Sequence, residues 1–260
     1  MAGTVRLVVD GPIATVTNDN PDKLNAFDDD MDAQLFDILG ELRQRPEVRA
    51  IVWRGEGRSF SSGRDVGSIR DLTVSRVDAD SAPVAGAPGR TPYRSHHDLM
   101  RHGHRGIQQL WELDPPVIVA CKGWVMGGSF QRALLCDIRI AAEGTRFRLP
   151  ELTHGVIPDT GGVATLYEMC GHGLVSDLVL TGRVLEADEA LAHGIVSRVV
   201  PADDLDATAR EMAEQVAGAP VVSVKMAREV IRHLALPQIR SAMADEMIYQ
   251  TFVRFMREGR

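Results

Sequence analysis

Apolar positions change period twice in the first fifty residues, and each change marks an element. Val5 to Val9 and Ile13 to Thr17 are short β-rich runs on either side of Asp10-Gly11, a pair suited to a tight turn, and they predict a hairpin that starts a sheet. Asp28, Asp29 and Asp30 then supply negative charge where a helix begins, and Met31, Leu35, Ile38, Leu39 and Leu42 recur at helical spacing. That stripe predicts a helix with one apolar face, stopping near Pro46. Ala50 to Trp53, Val117 to Ala120 and Ile138 to Ala142 read as further strands, the last two separated by a helix from Gly128 to Leu135. Strands alternating with helices predict an α/β layered core.

Two regions depart from this alternation. Asp71 to Gly106 contains a stretch from Ser81 to Pro92 rich in proline, glycine and alanine, followed by His96, His97, His102 and His104. It reads as a mobile lid inserted into the core, with a short helix near its end. From Ala202 the strand signals cease, and Ala227, Val230, Ile231 and Leu234, then Ile248, Phe252, Phe255 and Met256, form helical apolar stripes. These either pack on the chain's own core, the commoner outcome, or join subunits. The expected organisation is a core over residues 1–200, carrying the 71–106 insertion, and a helical region over 201–260.

Composition narrows the class. The 260 residues are 44% hydrophobic and 25% charged, ordinary for a globular protein, and the formal net charge of −7 argues against bulk attraction to nucleic acid or an anionic membrane. No apolar run is long enough to span a bilayer, and Met1 to Asp10 lacks the pattern of a secretory signal, so a cytoplasmic location is expected. Cys121, Cys136 and Cys170 form an odd set and read as reduced structural thiols.

The candidate chemistry lies in two glycine turns and a carboxylate: Phe60 to Asp65, Gly123 to Gln131, and Leu149-Pro150-Glu151. Glycine lets backbone amides approach a ligand closely, and a helix opening at Gly128 would aim unpaired N–H groups at an oxygen anion. A carboxylate beside such a site suits removal of a proton next to a carbonyl whose oxygen becomes an enolate. Gln131, three residues after Gly128, shares its helical side and could face the same pocket. The four histidines lack a Cys or carboxylate partner at metal-ligand spacing, so no metal is expected. The glycine turns also fail the dinucleotide and Walker spacings.

Four segments in fixed order carry a family resemblance: Asn20 to Phe27, Phe60 to Val66, Gly123 to Asp137, and Leu149 to Gly162 with Ile157-Pro158-Asp159-Thr160-Gly161-Gly162. Over nearly its whole length the chain resembles the crotonase superfamily, the enoyl-CoA hydratases and isomerases. The resemblance implies a spiral of ββα units, a helical C-terminal region that builds homotrimers or hexamers, an acyl-CoA thioester as substrate and no separate cofactor. It puts the two oxyanion donors on the amides of Arg64 and Gly128, and the CoA approach on Lys23, Leu24, Ser62, Asp65 and Val66. Hydratases of this family use two glutamates. Here the second matches Glu151, but the first falls on Gln131, which cannot exchange a proton at neutral pH.

One base can move a proton from C2 to C4 of a 3-enoyl-CoA, so isomerisation is the favoured reaction, with hydration, hydrolysis or decarboxylation as the alternative. Asp159 reads most simply as a turn former or cap, and as a second carboxylate if it reaches the pocket. A CoA-ester binding subunit without turnover is the remaining alternative, against which the retained Glu151 weighs.

Overall fold

A computed structural model of the chain describes residues 2–65 and 92–258. The expected hairpin forms from β1 (Thr4–Asp10) and β2 (Ile13–Asp19), antiparallel with Asp10 opposite Ile13. Helix α1 (Asp29–Leu42) is capped by Asp28, whose side chain accepts the Met31 amide, and Met31, Leu35, Ile38, Leu39 and Leu42 are all buried. Then come β3 (Ala50–Gly55), α2 (Pro92–Glu112), β4 (Val117–Cys121), β5 (Trp124–Met126), α3 (Gly127–Leu134), β6 (Ile138–Ala142) and β7 (Arg146–Arg148). The chain continues through α4 (Gly162–Thr181), β8 (Leu185–Glu186), α5 (Ala187–Ala192), β9 (Arg198–Val200), α6 (Leu205–Gly218) and α7 (Val221–Glu258).

Strands β1-β2-β3-β4-β6-β9 make one sheet, parallel from β2 onward, and β5-β7-β8 make a second. The central parallel strands β3 and β4 are buried on both faces, which is why they read as apolar runs. Ile51, Trp53, Val117, Val119 and Cys121 enter the larger core with α1. The alternate residues Ala50, Val52, Ile118, Ala120, Ile140 and Ala142 pack against Leu205, Ala209, Met212 and Ala213 of α6.

The C-terminal helix separates the two readings of its apolar stripes. Val230, Ile231, Leu234, Ile248, Phe252 and Met256 are exposed in the single chain, so these stripes do not pack on its own core. The face that α7 buries is a different one, with Ile239, Met243, Glu246 and Gln250 at spacings of four, three and four. Arg228 ties the helix to the sheet through both oxygens of Asp137, at 2.6 and 2.7 Å, and Asp137 also accepts the Val117 amide. Asp137 thus ties the chain after α3 to β4 and α7.

Of the expected lid, residues 71–91 lie outside the described residues, as does Val66. The short helix expected near its end is the 21-residue α2, which packs along α7 and α1. Cys121 and Cys136 are buried free thiols, and Cys170 is a half-buried one. Among the described residues no helix is long and apolar enough to cross a membrane, and no cluster of His, Cys, Asp and Glu could hold a metal ion.

Candidate active site

Strand register brings the three candidate segments to one place. β3 and β4 are parallel neighbours, so the chain leaving each emerges at the same edge of the large sheet, where ligands of such sheets bind. Residues 61–65 follow β3 and residues 123–128 follow β4, and a parallel bridge pairs Ser61 with Val125. The Met126 amide donates to Ser61 O at 3.0 Å, and the hydroxyls of Ser61 and Ser129 meet at 2.7 Å. In the second sheet Met126 stands opposite Arg148, so Gly127 and Leu149 leave side by side and Glu151 comes to rest beside the start of α3. A Cβ placed on Gly127 would lie 3.4 Å from Glu151 Oε1.

Gly63 makes the closest approach. Its φ is +89°, and a Cβ there would lie 2.8 Å from Met126 O, so a side chain would push the two turns apart. The next amide, Arg64 N, donates no hydrogen bond among the described residues, nor does Gly128 N in the first turn of α3. A Cβ on Gly128 would meet nothing within 4 Å, so the space beside its Cα is open. The Arg64 side chain turns away to Asp32, at 2.5 Å, and to Asp29. Asp32 also pairs with the buried Arg132 of α3 at 2.7 Å.

Glu151 is buried in a short 3-10 turn after Pro150. Burial of the carboxyl pushes its pKa up to about 7, opposed by hydrogen bonds from its own main chain and from Gln131. Gln131 Oε1 accepts the Thr160 amide at 3.0 Å, which fixes the side-chain orientation, and Nε2 therefore donates to Glu151 Oε1 at 2.8 Å. Glu151 Oε2 is buried and has no protein partner among the described residues. The structure thus brings Gln131 to Glu151, with an amide donor where a second carboxylate would otherwise stand.

Four of the residues expected on the CoA approach also share one rim. Lys23 Nζ pairs with Asp65 at 2.7 Å, Ser62 N donates to Leu24 O at 2.8 Å, and Ser62 Oγ donates to Lys23 O. Leu24 and Asn25 both adopt positive φ, held because the buried Asn25 side chain bonds the Glu56 and Ser59 carbonyls and the Asn20 amide. The fifth, Val66, lies outside the described residues.

Other ionisable groups stand near this site. Asp159 does not cap α4, whose cap is Gly161. Enough protein surrounds its carboxyl that desolvation raises its pKa although part of the residue reaches solvent, and Glu151, Glu246, His104, Arg132 and Arg254 all lie within its electrostatic reach. His104, expected on a polar lid, is buried on α2 against Asp159, and desolvation lowers its pKa. Of this cluster the sequence singled out Asp159, as a second carboxylate if it reaches the pocket, and His104, whereas Glu246 went unread.

The model for the family described as "Enoyl-CoA hydratase/isomerase" matches residues 9–83 and 87–259. Carnitinyl-CoA dehydratases of Salmonella typhi and Salmonella heidelberg are each 32% identical to this chain over 260 residues, covering 100% of it and 88% of the relative. Among solved structures, an enoyl-CoA hydratase/isomerase from Mycobacterium paratuberculosis superposes with a TM-score of 0.84 at 24% identity, covering 97% of this chain and 94% of that one, a likeness of fold. One from Pseudoalteromonas atlantica gives a TM-score of 0.79 at 26% identity over 95% and 90%.

Proposed function

The chain belongs to the enoyl-CoA hydratase/isomerase family of the crotonase superfamily, and from that premise we propose that it isomerises a 3-enoyl-CoA to the 2-enoyl-CoA with Glu151 as its single base. The thioester oxygen accepts from the amides of Arg64 and Gly128, which stabilise it as it gains charge. Glu151 Oε2 takes the proton from C2, and the dienolate then recovers that proton at C4. Lys23, Leu24, Ser62 and Asp65 line the approach of the CoA portion. The exposed stripes of α7 join subunits, as the resemblance implied, and no separate cofactor takes part.

The observation that carries this reading is the Gln131 amide. With Oε1 engaged by Thr160 N, only its N–H₂ faces Glu151. It holds one oxygen of the base, leaves the other for the proton, and cannot itself supply or remove one. The test is a panel of 3-enoyl, 2-enoyl and 3-hydroxyacyl-CoA esters read by mass and by absorbance of the conjugated thioester. Isomerisation forms conjugated product at unchanged mass. Since Glu151 must be ionised to act and burial holds its pKa at about 7, kcat/KM is expected to rise with pH through that value and level off above it. A rate already at its plateau well below this pH refutes Glu151 as the base.

A second reading is dehydration of a 3-hydroxyacyl-CoA, as the name of the Salmonella relatives says of them, with Asp159 as the second carboxylate. Its support is the position of Asp159 within electrostatic reach of Glu151. Loss or gain of water across the panel distinguishes the two. Under the isomerase reading, Gln131→Glu is expected to introduce hydration of 2-enoyl-CoA, because the new carboxylate would lie against Glu151, where the pair holds one proton between them. Hydration already present at full strength with Gln131, and lost in Asp159→Asn, favours the second reading.

A further inference from the structure

We propose that Glu246 on the C-terminal helix is a positioning residue for Glu151, acting through the 157–162 turn and Gln131. The inference rests on reading Glu151 as the base. Glu246 Oε2 accepts the Gly161 amide at 2.7 Å, and Gln250, one helical turn further along α7, accepts the Ile157 amide through Oε1 at 3.0 Å. Two side chains of one helix therefore clamp the turn that crosses Gln131.

The turn passes the clamp on to the base. Thr160, the residue before Gly161, supplies the amide that fixes Gln131 Oε1. Gly162 follows, and a Cβ there would lie 2.4 Å from Gln131 Cγ, so the backbone rides directly on the glutamine side chain. The primary amide of Gln131 is two-faced. Pinned by Thr160 N it offers N–H to Glu151, which favours the ionised carboxylate. Rotated by half a turn it would offer a carbonyl, which favours the protonated acid. Glu246 thus selects the face of Gln131 that Glu151 meets.

Placing a glutamate on a buried apolar stripe is costly unless its hydrogen bonds are used. Burial pushes the Glu246 pKa up to about 8, and a protonated carboxyl keeps a carbonyl oxygen that can still accept Gly161 N. Asp159 lies within electrostatic reach of Glu246 and Glu151 alike, and is itself faced by His104 of α2, Arg132 of α3 and Arg254 of α7. Charge and position act with opposite sign. Removing a nearby carboxylate by charge alone would lower the Glu151 pKa, whereas releasing Gln131 raises it.

The test is titration of the Glu151 carboxyl by carbon NMR in the full chain labelled at glutamate, with the signal assigned by its loss in Glu151→Gln. Glu246→Leu is expected to raise the Glu151 pKa by about half a unit or more. Gln131→Met should raise it by a similar amount, the double variant should add nothing further, and Glu246→Gln, which keeps an acceptor, should restore the wild-type value. Glu246→Met replaces the leucine variant if that one does not fold. An unchanged or lowered pKa in the apolar variant, or additive shifts in the double variant, overturns the proposal. Because the readout is a titration, a chain that turns over no enoyl-CoA yet shows these shifts would refute the isomerase reading and leave the positioning role standing.

Discussion

Glu151→Gln is expected to lower enoyl-CoA turnover by about 1,000-fold while leaving CoA-ester binding within a few-fold of wild type. The replacement is isosteric and its amide oxygen can still accept from Gln131 Nε2, so the pocket keeps its shape and loses only the atom that takes the proton. Stability is expected to move the other way. Burial raises the pKa of the folded carboxyl to about 7 from the 4.5 of an unperturbed glutamate, so between these values the folded chain holds a proton that the unfolded chain has released. Stability from this group therefore falls as pH rises through that window and stays lowered above it. The glutamine variant escapes this and is expected to be more stable at pH 8, by about 3 kcal/mol, with little difference at pH 4. Thermal melts at the two pH values check the second expectation and steady-state assays the first. A variant that keeps near wild-type turnover removes Glu151 from the chemistry.

Gly63→Ala is expected to produce the other large effect, a loss of about 100-fold or more in kcat. The position has φ of +89°, which a Cβ tolerates poorly, and the added methyl would sit 2.8 Å from Met126 O. Relief requires the 61–65 and 125–128 segments to separate, and these carry the Arg64 and Gly128 amides. Two donors aimed at one oxygen lose their common focus when the backbones part, and each such donor is worth about 3 kcal/mol in measured oxyanion holes. Far-ultraviolet circular dichroism and a melt would establish that the variant is folded. Unchanged kcat in a folded protein would show that these two turns do not act together on the reacting oxygen.

The sequence was most legible where local rules and tertiary packing agree. The Asp10-Gly11 hairpin, the α1 stripe from Met31 to Leu42 and the unbroken apolar strands each follow from period and turn chemistry alone. The three segments of the candidate site were legible because glycine spacing reports backbone approach, and the strand register then explains why they meet. The C-terminal helix was harder, since α7 carries apolar residues on more than one side. Periodicity alone could not say that Ile239 and Met243 face inward while Val230, Ile231 and Leu234 face out. His104 was read as part of a polar lid and Asp159 as a turn former or cap, and α2 and the 157–162 turn bring them against each other. A long-range polar contact of that kind leaves no periodic trace.

The most direct test is a crystal structure of the Glu151→Gln variant with a 3-enoyl-CoA bound. The thioester oxygen should lie about 3 Å from both the Arg64 and Gly128 amides, with C2 about 3.5 Å from the side chain at position 151. An ester whose oxygen meets neither amide, or whose C2 lies away from position 151, would contradict the mechanism.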